Sequence, residues 1–412
     1  MNFPEQISSW RFRARLALSL GIFAGLLTVG FYALFRQNPA NTFDVFYYAA
    51  ELSLSGPVVY ETDYGLYVYT PIVLLFFYPY VLLFDFSTAL LVQRLLGVAV
   101  ALGYGAILAK FLRSKVELEG LDMALITGFV GLSLYPIVIT VLGGIEIFLG
   151  AALGVGWILL EKHKDERGGA LWALASLFKI FPALWGLFLL RTRNTRAIIA
   201  AVVTGVGATL AGVLLFGFDA YVRYFETTTG SRVRVRSLFA GGSSPDNEAV
   251  TLIRPLAQLF PTVDPVTWIP VIFVVVAALL GFIYLRLSDE TLTERATLLL
   301  ATVIAITFVM PTSQDLDMYL VYGPLVVLLY IERRRLEHLF YSIGAVILVY
   351  NFNRNELIPV VEFLGLARTG ILDIAIPVLA FASLPLYGLT LMFAGCFLRA
   401  IRSDADASLY GS

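Results

Sequence analysis

Two carboxylates and a handful of cations carry the chemistry in an otherwise apolar chain. Asp44 opens the stretch NTFDVFYYAAELSLSGPVVYETDYGLYVYTP, residues 41–71, directly after the first apolar run. A carboxylate near a low-dielectric boundary has its pKa raised and can act as a general base towards a hydroxyl. Asp is also a favoured helix N-cap, and both readings of Asp44 stand. Glu146 follows Gly143-Gly144, two glycines that let a helix start abruptly. A contact with the helix dipole is its bland reading, and a used carboxylate near the membrane face is the other. Lys179 sits in an apolar stretch before a proline, either snorkelling or held at a site as an anion-binding cation for the donor phosphate. Arg232, Arg234 and Arg236 alternate with Ser231, Val233 and Val235. On an extended strand the three guanidinium groups share one face, which suits a phosphate as well as a headgroup or solvent. Arg254 lies in the same loop as a further cation for an anion.

The elements that must position these groups are membrane helices. With 412 residues, 59% of them hydrophobic, 14% charged, and a mean hydropathy of +0.82, the chain is too apolar for a soluble globule. Apolar runs predict an all-α polytopic bundle of about ten full spans. They are Leu16–Phe35, Ser87–Ala109, Leu121–Leu142, Gly143–Leu160, Ala197–Phe218, Val266–Leu285, Ala296–Met310, Met318–Ile331, Leu339–Phe352 and Ile371–Leu398. Pro71 to Phe84 reads as a half-span or interfacial helix. Gly169–Leu190, between EKHKDER and RTRNTR, reads as a re-entrant helical hairpin with its apex at Lys179–Pro182.

Arg11, Arg13 and Arg15 before the first span make it a signal anchor, and the Lys/Arg bias places both termini in the cytoplasm. The parts are then a cytoplasmic N-terminus (1–15), a catalytic module (16–218) with its first outer loop at 36–70, and an outer loop (219–265). C-terminal membrane helices (266–398) and a cytoplasmic tail (399–412) complete the chain. Within the outer loop, GGSSPDN reads as a turn-rich stretch mobile on its own. Cys396 is the only cysteine, so there is no disulfide framework, and His163 and His338 sit in charged runs away from the reactive face.

A base and a set of phosphate-binding cations suit one reaction. A sugar carried on a polyprenyl phosphate needs a lipid groove, cations for the departing phosphate and a carboxylate to deprotonate the acceptor. Attack on the anomeric carbon in one displacement inverts it. No glycine-rich nucleotide loop is present, and nothing points to nucleic acid. The first loop supplies Tyr47, Tyr48, Tyr64 and Tyr69 as rings for sugar or acceptor. A lipid-linked substrate transporter or flippase, and an O-antigen-ligase-like polymer transferase, are the alternatives.

The segments FDVFYYAAELSLSGPVVYE, YVYTPIVLLFFYPYVLLF and GGIEIFLGAALGVGWILLEKHKDERGGALWALASLFKIFPALWGLFLLRTR resemble glycosyltransferase family 87, membrane mannosyltransferases of the GT-C superfamily. The resemblance covers roughly residues 40 to 200. It implies a GT-C helical fold and a hexose, mannose first, moved from a polyprenyl-phosphate donor to a glycan, lipid or protein acceptor at the outer face of a plasma membrane. It also implies Asp44 as catalytic base. Glu146 stands where that family has Asn, which leaves a divalent metal or an acceptor contact open for it. In place of the family's His-containing outer segment stands PTSQDLDMYLVYG, whose Gln314, Asp315 and Asp317 are either acceptor ligands or a polar loop.

Overall fold

The computed structural model describes residues 3–35, 42–63, 65–229, 231–311 and 313–410, with the side chains of a few helix-end residues, Arg232 among them, left out. Among the described residues the elements are helical apart from one small hairpin and an isolated bridge between Ala249 and Gln314. The chain begins with α1 (Phe3–Phe35) and α2 (Phe43–Ser55), and the hairpin pairs β1 (Glu61–Thr62) antiparallel with β2 (Gly65–Leu66). There follow α3 (Leu74–Leu83), α4 (Phe86–Arg113), α5 (Gly120–Leu132), α6 (Leu134–Leu142), α7 (Glu146–Glu161), α8 (Asp165–Phe178), α9 (Gly186–Arg191) and α10 (Thr195–Phe216). Three short helices, α11 (Phe218–Thr229), α12 (Ser231–Phe239) and α13 (Ile253–Leu259), lead to α14 (Trp268–Arg286) and α15 (Leu292–Val309). The chain closes with α16 (Tyr322–Ile331), α17 (Arg335–Val349), α18 (Arg354–Phe363), α19 (Ile371–Phe381) and α20 (Leu384–Tyr410).

Among the described residues, seven helical stretches are long and apolar enough to cross a membrane: Trp10–Tyr32, Phe86–Arg113, Gly120–Leu142, Thr195–Phe216, Pro265–Arg286, Leu292–Val309 and Leu384–Arg402. The other expected spans are shorter pieces. Gly143–Leu160 becomes the 16-residue α7, Met318–Ile331 a 3₁₀ turn and the 10-residue α16, and Leu339–Phe352 the 15-residue α17. Ile371–Leu398 breaks at Ala382-Ser383 into α19 and α20, with Pro385 near the start of α20, where its missing N–H costs no helical bond. Hydropathy alone does not separate such pieces from spans, because an apolar helix packed inside the bundle, as α16 is along its whole length, reads the same as one facing lipid. α10 shows the opposite case, with Val203, Val206, Leu210 and Leu214 all exposed. Gly169–Leu190 is two helices, α8 and α9, joined through Lys179-Ile180 and a 3₁₀ turn at Phe181–Trp185.

The 219–265 segment is folded, not an open loop. α12 replaces the extended strand expected for Arg232, Arg234 and Arg236. The buried Val235 and Phe239 and the partly buried Leu238 recur at spacings of three and four, and that burial outweighs the alternation of Arg and Val. The glycine- and serine-rich turn expected to be mobile is tied down. The amide N–H of Ser243 donates to Gln258 Oε1 at 3.0 Å, and Asn247 Nδ2 donates to the Leu238 carbonyl at 3.2 Å. Arg254, only 1% exposed, completes the clasp by donating to the carbonyls of Ser244, Asn247, Ala249, Leu379 and Ala380. Arg254→Leu leaves several buried carbonyls unpaired and is expected to lower stability by on the order of 3 kcal/mol. Limited proteolysis should then reveal new cleavage between residues 240 and 250.

Candidate active site

The site is built where α2, the α6–α7 turn, the end of α8 and the segment before α16 meet. α6 ends on Gly143 in the left-handed region at φ 70°, with the Gly144 N–H returning to the Ile139 carbonyl at 2.9 Å and the Gly143 N–H to Thr140 at 3.2 Å. This is a Schellman end, and it reverses the chain within two residues. The carbonyls it leaves over are met from outside the helix. Arg94 Nε and Nη2 donate to Val141 at 3.1 and 2.6 Å, and Gln93 Nε2 donates to Gly143 at 3.4 Å. The N–H and hydroxyl of Thr42 donate to Leu142 at 3.0 and 3.1 Å. Polar Gln93 and Arg94 inside an apolar run therefore fix the turn. Gly143→Ala forces a Cβ into that left-handed backbone and to 2.8 Å from Phe43 Cβ. A loss of about 1–2 kcal/mol from the backbone alone is expected, read as a fall in Tm.

The reversal sets Glu146 in the first turn of α7, 6% exposed. α8 stops at Lys179, which adopts an extended backbone ahead of Pro182 and turns its ammonium inward. Lys179 Nζ donates to Glu146 Oε1 at 2.9 Å and to Asp317 Oδ1 at 2.8 Å. Asp317, 5% exposed, accepts a further hydrogen bond at Oδ2 from the Gln314 N–H at 3.3 Å. Lys179, expected as a free cation for phosphate, is thus held between two carboxylates. Glu146 Oε2 is buried and accepts no hydrogen bond from the protein. Among the described residues no set of three acidic, histidine or cysteine groups converges to hold a metal ion.

Asp44 lies two residues beyond Thr42, in the first turn of α2. The N-cap position belongs to Thr42, which sets aside the capping reading. Asp44 Oδ1 is buried without a protein partner. Burial holds its pKa above the ordinary carboxylate value, with its own backbone N–H pulling less strongly the other way.

Tyr69 connects the first loop to this centre. Burial raises its pKa, and Lys179, Glu146, Asp317 and Arg234 all act electrostatically on its phenol. Its ring lies 4.6 Å from that of Phe46, which stacks on Phe77 at the same separation. Among the α12 arginines whose side chains are described, Arg234 is the one that acts electrostatically on Tyr69. Arg236 is paired with Asp264 at 2.7 Å, Arg254 is enclosed by carbonyls, and the side chain of Arg232 lies outside the described residues, as does Tyr64. Tyr47 spends its hydroxyl on the Phe84 carbonyl at 3.0 Å, and Tyr48 stacks on Phe86. Gln314 is exposed and serves Asp317 through its backbone. Asp315 turns away to Asn351, whose Nδ2 donates to it at 2.7 Å; burial, then Glu248 and Glu356, hold its pKa well above the usual carboxylate range.

The sequence marked each member of the Glu146–Lys179–Asp317 cluster separately, but not that they meet. It passed over Thr42, Gln93 and Arg94, although polar groups within an apolar run were a legible signal.

No curated protein and no solved structure matches the chain. Residues 67–311 match the family model for Glycosyltransferase family 87, a stretch that holds Tyr69, Glu146, Lys179 and Arg234 and is flanked in sequence by Asp44 and Asp317. It overlaps the 40–200 resemblance from Tyr67 onward and extends it well into the C-terminal half, leaving the opening segment with Asp44 outside. With more than half of its 412 residues covered by that match, the chain belongs to glycosyltransferase family 87 and is an enzyme that transfers sugars.

Proposed function

We propose that this enzyme moves a hexose, mannose first, from a polyprenyl-phosphate donor to a glycan, lipid or protein acceptor at the outer face of a plasma membrane, with both termini in the cytoplasm and α8–α9 re-entrant. The observation that carries the reading is Asp44: a carboxylate oxygen buried without a protein partner, on a group whose pKa burial raises. In this reading Asp44 takes the proton from the acceptor hydroxyl, whose oxygen attacks the anomeric carbon. The bond from that carbon to the phosphate oxygen breaks, and the polyprenyl phosphate departs with the bonding electrons. The sugar is inverted by the single displacement.

Negative charge develops on the departing phosphate, and a preorganised cation is worth most there. Arg234, which acts electrostatically on Tyr69, is the expected arginine taken here for that role. The exposed apolar faces of α10 and α14 suit the membrane lipid and a prenyl chain alike. Family membership favours this reading over the transporter and flippase alternative. The test is transfer of radiolabelled mannose from short-chain polyprenyl-phosphate mannose to membrane glycans and lipids by the purified protein, beside a glucosyl donor. Label moved by neither donor refutes the reading.

A further inference from the structure

The buried cluster has the wrong charge for a phosphate. One ammonium between two carboxylates leaves Glu146, Lys179 and Asp317 with a net negative charge, and both carboxylates lie within 2.9 Å of the cation that would have to be given up. A phosphate brought there meets like charge before it meets Lys179. Hydroxyl groups meet the reverse, because a carboxylate oxygen is purely an acceptor. One such oxygen is on offer. Glu146 is 6% exposed, its Oε1 is taken by Lys179, and its Oε2 has no protein donor.

That oxygen packs directly against a glycine, Gly144. A Cβ on Gly144 would lie 2.5 Å from Glu146 Oε2 and 3.5 Å from Thr42 Oγ1. The Tyr69 phenol is within electrostatic reach of the same carboxylate. A buried carboxylate oxygen with no protein donor is a setting for a substrate hydroxyl.

We propose that Glu146 Oε2 accepts a hydrogen bond from a hydroxyl of the transferred hexose, with Lys179 and Asp317 as positioning residues that hold the Glu146 carboxylate. The donor phosphate is gripped elsewhere. The inference rests on the reading of the donor as a sugar on a lipid phosphate. It also gives the cluster a role in the reaction, since the sugar ring becomes oxocarbenium-like as the bond to phosphate breaks, and net negative charge beside it is favourable.

The test separates sugar from phosphate by equilibrium binding to the full-length protein. A short-chain prenyl phosphate is titrated bare, mannosylated and glucosylated, and the ratio of Kd values is the contribution of the sugar. In the wild type at least one sugar should tighten binding. Glu146→Gln keeps an oxygen for Lys179, and Gly144→Ala keeps every charge while crowding Oε2. Each should reduce the sugar contribution by about tenfold, the value of a hydrogen bond to a charged group, and leave bare prenyl phosphate within about threefold. An unchanged sugar contribution in both variants, its absence in the wild type, or an equal loss for bare prenyl phosphate overturns the proposal. Sugar-dependent binding without any turnover refutes the proposed reaction and leaves the sugar contact standing.

Discussion

Asp44→Asn is expected to reduce sugar transfer by about 10²–10⁴-fold, the range for loss of a general base, while the protein folds and binds donor as before. The substitution preserves shape and removes the charge. Because Asp44 Oδ1 has no protein partner, the change removes no hydrogen bond there. The sign of the pH dependence follows from burial, which holds the folded-state pKa of Asp44 above its ordinary 3.8. The base works when ionised, so the wild-type rate should fall on the acid side at a pH above that of an exposed aspartate.

The linked effect on stability has a definite direction. A carboxyl whose folded pKa is raised binds its proton more tightly folded than unfolded, so its ionised form costs stability at neutral pH. That cost is relieved as the pH falls through the raised value towards 3.8. Asp44→Asn should therefore have a Tm at or slightly above that of the wild type at neutral pH, with the difference closing as the pH falls. A variant that keeps most of its turnover in radiolabel transfer removes Asp44 from the mechanism. One whose activity falls together with its Tm shows a structural residue.

Lys179→Met is expected to have the largest effect on folding. The side chain is about the same length, but Glu146 and Asp317 lose the cation both contact, at 2.9 and 2.8 Å, and face each other in a buried site. Removing one partner of a buried ion pair costs about 3–5 kcal/mol, because the charge left behind is uncompensated. The loss should show as a large drop in Tm or as failure to purify as a monodisperse species. Adding Glu146→Gln and Asp317→Asn to Lys179→Met removes both orphaned charges and should recover most of the stability without recovering transfer. If the single and triple variants are equally unstable, the fall comes from lost packing around the side chain and not from the ion cluster.

These two predictions draw on different kinds of information, and that division runs through the whole protein. Composition together with uninterrupted apolar runs of helix-spanning length pointed to a multi-helix membrane protein, because within a bilayer only helices and closed barrels satisfy the backbone and runs of this length suit helices. The sequence also carried the helix stop at Gly143-Gly144, the break at Lys179–Pro182 and the chemical suspects Asp44, Glu146 and Lys179, since glycine, proline and isolated charges act locally. It misled where the signal was local and the cause was not. The alternation in 231–236 spoke for a strand until the burial of Val235 and Phe239 made it α12. Hydropathy likewise made spans of α7, α16 and α17, which are helices of 16, 10 and 15 residues and fall outside the seven stretches long and apolar enough to cross.

The site was decided by tertiary structure. Glu146 and Lys179 are 33 residues apart and Lys179 and Asp317 are 138 apart, so no spacing rule could join them. Only packing of α7, the end of α8 and the segment before α16 brings two carboxylates to one ammonium, and only that meeting turns an expected phosphate cation into the holder of two acids. The same packing closes Arg254 among carbonyls and leaves Arg234 to act on Tyr69. Residue type sets what a side chain can do; its partners in space, which the low dielectric of the interior makes decisive, set which of those things it does.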